Sequence, residues 1–385
     1  MAPTTASLVD EVQSITQRWK EQRSERQTRR HLDQADFDAL RDAGMLLAVV
    51  PDDMGGLWHD GASSTRLISE LLRTLATADP AVALVSAMHP SVVGYWLLNP
   101  DPSQPEWEAQ RRAVFGTALA GDQWGTITSE PGSGGDIGRT KATARATGDS
   151  GFMLGHAYAV TGDKHFGSGS GIADRMVTTA IPNGEDEPAI FALDVRGRPW
   201  DGTAGMTLLA EWDGVGMAAT QSHAMRLDGA PGVRLARVGP LSDITSGASA
   251  FVTTLFTAVI LGVLDEAVAV AQRQLSPKAA DMRPYEQMEW TRAVSDHWLA
   301  AQAYEGALRA IETADPTARA AALRAKQSVA ELAEATLGRL ARVIGGGTFS
   351  SRSPFAHWYE DVRALGFLRP PWGLAYDSLF ALSFD

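Results

Sequence analysis

Between about residues 6 and 118 the apolar positions of the chain repeat with a helical period. Leu8, Val12, Ile15 and Trp19 form one stripe on an otherwise charged segment, which predicts an amphipathic helix buried along that face. Asp36 is expected to cap a second helix carrying Phe37, Leu40 and Met45, with Gly44 near its end. The cluster Pro51-Asp52-Asp53-Met54-Gly55-Gly56 breaks the pattern. Ser63 or Ser64 then opens a third helix with Leu67, Ile68, Leu71, Leu72 and Leu75 on one side. A strongly apolar helix follows Asp79-Pro80 and ends near Leu98. After Pro100, Pro102 and Pro105 one more helix covers Trp107 to Ala118.

From about 119 to 245 the period shortens. Runs such as Ile190 to Val195 alternate with Gly, Asp, Asn and Pro clusters, which predicts an antiparallel sheet closed into a small barrel. From about 246 to 385 helical periodicity returns, in three long segments over 247–275, 284–313 and 317–344. Trp290, Val294, Trp298 and Ala301 give the second its face, and Val329, Leu332, Thr336, Leu337 and Leu340 the third. Gly345-Gly346-Gly347 stops the last. The expected fold is therefore α+β, with an N-terminal helical domain (1–118), a middle β-domain (119–245) and a C-terminal helical bundle with a tail (246–385).

Composition narrows the function classes. The chain has 385 residues, 44% hydrophobic and 21% charged, as in a soluble globular protein. Its net charge of −12 disfavours a nucleic-acid partner. It has no cysteine, so disulfides, thiolate metal sites and a cysteine nucleophile are all excluded; a reducing cytoplasm is compatible with this. Met1 to Leu8 reads as no secretory signal. The longest apolar run, Ala248 to Leu264, is interrupted by three threonines and closed by Asp265 and Glu266, and reads as a core helix rather than a membrane span.

Two glycine-rich stretches carry the candidate chemistry. Ser129-Glu130-Pro131-Gly132-Ser133-Gly134-Gly135-Asp136 is either a ligand loop or a plain hairpin connection. Small residues there allow close backbone approach and expose successive N–H groups. The strand-like Thr140 to Ala144 after it rules out a dinucleotide fingerprint, which requires a helix. Thr161 to Gly171 sets the aromatic Phe166 and the hydroxyl of Ser168 two residues apart among glycines, a place for a flat ligand. None of the eight histidines shows a metal spacing. His89, in the apolar Ser86-Ala87-Met88-His89-Pro90, reads as a hydrogen-bonded core histidine or a functional one.

The order of these pieces resembles the acyl-CoA dehydrogenase superfamily over nearly the whole chain. Gly44 through Pro51 to Gly56 is similar to that family's "Gly…Pro-Glu-x-x-Gly-Gly" signature. Ser129 to Asp136 is similar to its "Thr-Glu-Pro-Gly-Ala-Gly-Ser-Asp" loop, Gly162 to Gly169 to its "Gly-x-Lys-x-Trp-Ile-Thr-Asn" strand, and Gly345 through Pro354 to Asp361 to the segment before its active-site tail. The resemblance implies a flavin, FAD or FMN, held between the β-domain and the bundle. Thr126 and Ser129 would contact it, Gly134 and Gly135 would cradle it, Phe166 would cover one ring face and Ser168 would place a hydroxyl near N5.

Three departures shift the expected reaction. Arg369 stands where the dehydrogenases carry their proton-abstracting glutamate, and Val252 stands where some relatives place it instead; an arginine cannot serve as a base near neutral pH. The "Arg-x-x-Phe-Gly" that holds the adenine half of FAD is here Arg273-Gln274-Leu275-Ser276-Pro277. Arg342 replaces the usual glutamine before the double glycine. All three resemble the two-component monooxygenase branch, whose members receive reduced flavin from a separate reductase. The expectation is a cytoplasmic homotetramer or homodimer acting on a small organic substrate, without metal or membrane. His89 would handle a proton and Arg369 would bind an anionic substrate group. The alternatives are an acyl-thioester dehydrogenase using Glu360 or Asp361 as a relocated base, and a non-catalytic flavin-binding protein.

Overall fold

The computed structural model describes residues 4–150 and 153–384. Six helices come first: α1 (Thr5–Glu21), α2 (Arg23–Arg26), α3 (Gln34–Ala43), α4 (Gly61–Ala76), α5 (Pro80–Leu97) and α6 (Pro105–Leu119). The expected stripe of α1 is buried at Leu8, Val12, Ile15 and Trp19. Two helix starts differ from the sequence reading. Asp33, not Asp36, caps α3, because Asp36 is drawn inward to the Arg26 guanidinium, which it shares with Asp79. Asp60, not Ser63 or Ser64, caps α4 by accepting the Ser63 N–H.

Seven strands follow: β1 (Trp124–Thr126), β2 (Thr143–Ser150), β3 (His156–Gly167), β4 (Arg175–Pro182), β5 (Ala189–Asp194), β6 (Met206–Ala210) and β7 (His223–Arg234). The pairings β4–β2–β3–β7–β5–β4 close on themselves. The sheet is mixed rather than antiparallel, since β1 and β2 both run parallel to β4. β1 pairs with Arg175 to Val177 and β2 with Ile181 and Pro182, so the two lie in succession along one edge of the same strand. The chain leaves that edge after β1 and rejoins it at β2, and the glycine-rich stretch is the excursion between. Alternation and turn residues carry no information on strand sense, which explains the difference.

The last block holds α7 (Leu241–Leu275), α8 (Pro284–Glu312), α9 (Ala318–Ile344), α10 (Pro354–Gly366) and α11 (Trp372–Ala381). The three long helices stand where periodicity put them. The apolar run belongs to α7, whose most hydrophobic window is 83% buried inside the protein. One core joins α1, α4 and α5 to α7, α9 and α10. Closeness there depends on Gly262, where a Cβ would fall 2.2 Å from the Arg73 carbonyl oxygen of α4.

Candidate functional site

A cavity of about 770 Å³ lies where the barrel loops meet α5, α7, α9 and the α10–α11 connection. Thr126, Ser129, Gly134, Gly135, Phe166, Ser168 and Arg369 all line it. Local hydrogen bonds explain the convergence. The His165 N–H donates to the Ser129 carbonyl at 2.8 Å, tying the first glycine-rich loop to the end of β3, which carries the second. Gly135, at φ 83°, packs so closely on the tail that a Cβ would come 2.5 Å from Pro371 Cγ, whereas Gly134 (φ 65°) faces open space.

Phe166 adopts a left-handed backbone, φ 56°, and its ring is 55% exposed. A large aromatic held out of the core in a disfavoured conformation suggests a surface awaiting a partner. Trp212 stands edge-on to it, with ring centroids 5.9 Å apart. Below the rings, Ser168 Oγ, Ser222 Oγ and Thr220 Oγ1 form a buried chain with steps of 2.8 and 2.7 Å. An apolar wall, a row of hydroxyls and an open glycine turn fit a flat ring with polar edges, as a flavin would require.

The acids of the cavity wall are not free. Lys164, buried, donates to Glu130 and to the Thr179 carbonyl. Burial pushes the Glu130 carboxyl up, but Lys164, Thr140 and the Lys141 N–H outweigh this and hold it below its ordinary value. Asp136 accepts the Gly138 N–H at 2.9 Å. Arg369 turns its guanidinium to Thr126 Oγ1 at 2.7 Å and Thr128 Oγ1 at 3.4 Å. It has no carboxylate partner among the described residues, and neither does Arg319 in the first turn of α9. In a chain of net charge −12, the cavity's unneutralised side chains are thus mainly cationic.

His89 is not brought to this cavity. It is 2% exposed; its Nδ1 accepts the Trp124 N–H at 3.1 Å, and Nε2 donates to the Leu46 carbonyl at 3.3 Å. Burial lowers it to about 4; Nδ1 joins α5 to β1, and Nε2 joins α5 to the turn at Leu46 that follows α3. Glu360 and Asp361 do not line the cavity either. Glu360 pairs with Arg363, and Asp361 accepts the Met217 N–H at 2.6 Å. Arg273 and Arg342, the departures from the adenine-binding pattern, are engaged by Glu266 and Glu289.

The sequence reading missed several wall residues. Trp212, Met217, Thr220 and Ser222 belong to the connection between β6 and β7, of which Trp212 to Met217 read from the sequence as a strand and turn. Thr245, Ser249 and Thr253 lie four residues apart along one side of α7, and this polar spacing within an apolar helix was the readable signal. Tyr95 faces them from α5. Its side chain is buried, and its hydroxyl makes no hydrogen bond to a described residue.

No family model matches the chain. The amino sugar nitrososynthase of Streptomyces peucetius is 28% identical over 87% of this chain and 82% of its own length. The dibenzothiophene monooxygenase of Rhodococcus qingshengii is 24% identical over 54% of this chain and 45% of its own. Among solved structures, FMN-bound TdsC from Paenibacillus sp. A11-2 superposes with a TM-score of 0.79 at 19% identity, covering 98% of both chains. The nitrososynthase of Micromonospora carbonacea var. africana also gives 0.79, at 20% identity, covering 100% of this chain and 97% of its own. These likenesses are to nitrososynthases and monooxygenases, and the solved structures share an acyl-CoA dehydrogenase-like fold with this chain. It is a flavin-dependent oxidoreductase, and the cavity occupies the junction of barrel and bundle where the resemblance placed the flavin.

Proposed function

We propose that this oxidoreductase is a monooxygenase that takes up reduced FMN and oxygenates a small organic substrate. The observation that carries the reading is a cavity with an aromatic-and-hydroxyl wall whose one glutamate among the described residues, Glu130, is paired with Lys164. A dehydrogenase must remove a carbon-bound proton. Here Glu130 is neutralised by Lys164, while Glu360 and Asp361 lie outside the cavity. A reduced flavin would supply the two electrons that let one atom of dioxygen enter the substrate and the other leave as water.

Phe166 and Trp212 would hold the ring, Ser168, Ser129 and Thr126 its polar edge, and Gly134 and Gly135 would let it approach the backbone. FMN suits the chain better than FAD, because Leu275-Ser276-Pro277 and Arg342 replace the pattern that holds the adenine half. The relatives' names point to substrates oxygenated at nitrogen or sulfur, amino sugars and dibenzothiophene. Tyr95 with the hydroxyl row of α7 gives a substrate of that size polar contacts on an otherwise apolar floor of Leu84, Met88 and Val252. A separate reductase would deliver the reduced flavin in the cytoplasm. Self-association through α8 would leave the cavity open, since Trp298, Tyr285 and Leu299 are exposed on that helix and do not line it.

Titration with FMN, FAD and riboflavin, followed by flavin fluorescence, tests the cofactor reading. FMN should bind at least about tenfold more tightly than FAD. The purified protein with reduced FMN, oxygen-18 gas and a panel of amines and thioethers should place one labelled atom in a product. Absence of binding by oxidised and reduced flavins alike would end this assignment.

A further inference from the structure

Lys326 sits midway along α9 with its side chain fully buried, 0% exposed. Among the described residues no carboxylate pairs with it. Its ammonium donates to the carbonyls of Gly366 and of Pro370, the latter at 3.0 Å, and lies 5.2 Å from the centroid of the Trp372 ring. Burial pulls it down to about 7. An ammonium placed in a protein interior without a counter-ion is costly, and the carbonyl dipoles and the ring face are what offset that cost.

All three contacts fall on one short segment, from the last residue of α10 (Gly366) through Pro370 to the first residue of α11 (Trp372). This segment supplies Phe367, Leu368, Arg369, Pro370 and Pro371 to the cavity wall. Arg369 within it holds a left-handed backbone at φ 32° and reaches Thr126 with its guanidinium. A non-glycine residue stays in that region only when its surroundings over-determine it.

We propose that Lys326 is a positioning residue of the cavity: by bonding the carbonyls at both ends of 366–370 it clips the segment into a fixed turn and so sets Arg369 against Thr126. The clip rests on contacts within the chain; only its consequence for cofactor binding rests on the flavin reading above. An ammonium has three donors on a flexible stem and can satisfy two carbonyls and a ring at once, which no apolar side chain of the same length can do. Without it, two carbonyl oxygens face an interior with no donor, and the strained turn loses its tie.

Lys326→Met keeps the length of the stem and removes only the ammonium. Hydrogen exchange followed by mass spectrometry on the full chain should show the amides of 366–369 exchanging at least about tenfold faster in this variant, with α7 unchanged. FMN affinity should fall by about the same factor, and Lys326→Met should add almost nothing in an Arg369→Ala background, because both substitutions act through one guanidinium. Unchanged exchange at 366–369, or fully additive losses in the double variant, overturns the proposal. Should Lys326→Met not fold, Trp372→Leu, which removes the ring contact, is judged by the same exchange criterion. If the wild type binds no FMN, the functional reading fails while the exchange comparison still decides the clip.

Discussion

His89 shows how a residue's neighbours decide its chemistry. Enclosed between α5 and β1 with both nitrogens engaged, it stays neutral, and burial lowers it to about 4. The unfolded chain binds a proton at this position below about 6.5, so the unfolded state gains protons first as pH falls, and stability is lost between about 6.5 and 4. Wild type should lose about 2 kcal/mol from this group between pH 7 and 5. His89→Gln, which retains a donor and an acceptor, should lose correspondingly less in urea melts at the two pH values. Equal losses would mean that His89 is charged or exposed in the folded protein.

α10 supports the site through a hydrogen bond to the connection between β6 and β7. Asp361 accepts the N–H of Met217, whose carbonyl in turn accepts from Trp212 Nε1 and Thr220 Oγ1, each at 2.9 Å. One helix therefore fixes the connection that carries Trp212 into the cavity wall. Desolvation pushes Asp361 up to about 7, aided by the charges of Asp79 and Glu360 and opposed by the Met217 N–H. Because the folded value lies above the unfolded one, the stability contributed by the protonated form is full in acid and is lost as pH rises through about 7. Asp361→Asn can still accept from Met217, so wild type should lose stability relative to this variant between pH 5 and 8. A pH-independent difference would show that the carboxyl is solvated. The resemblance singled out Asp361, but its hydrogen bond to the Met217 N–H joins residues 144 apart in sequence and exists only in the folded chain.

At the scale of the whole molecule the exposed side of α8 is the feature a monomer does not explain. Trp298 is 60% exposed, Tyr285 51% and Leu299 48%, whereas Trp290 of the same helix packs on the core. Association of copies through this side would remove the apolar area from water. Trp298→Arg should lower the mass measured by light scattering while leaving FMN binding intact. A monomeric wild type would refute the assembly.

How much was legible follows from what each signal encodes. Helical periodicity and apolar runs record where a helix meets an apolar interior, so α1, α5, α7 and α9 could be drawn from the chain alone, whereas the α8 stripe at Val294 and Trp298 is exposed; the glycine-rich loops marked where backbone can approach a ligand. Those signals are local. The parallel pairing of β1 and β2 with β4, the cap at Asp33 and the neutral setting of His89 depend on groups far apart in sequence, whose desolvation and hydrogen bonds exist only after the chain has folded. The sequence alone therefore determined the elements and the two glycine-rich loops. Tertiary structure decided which charges are cancelled, that Lys326 reaches the tail, and that Glu130 of the cavity wall is paired with Lys164.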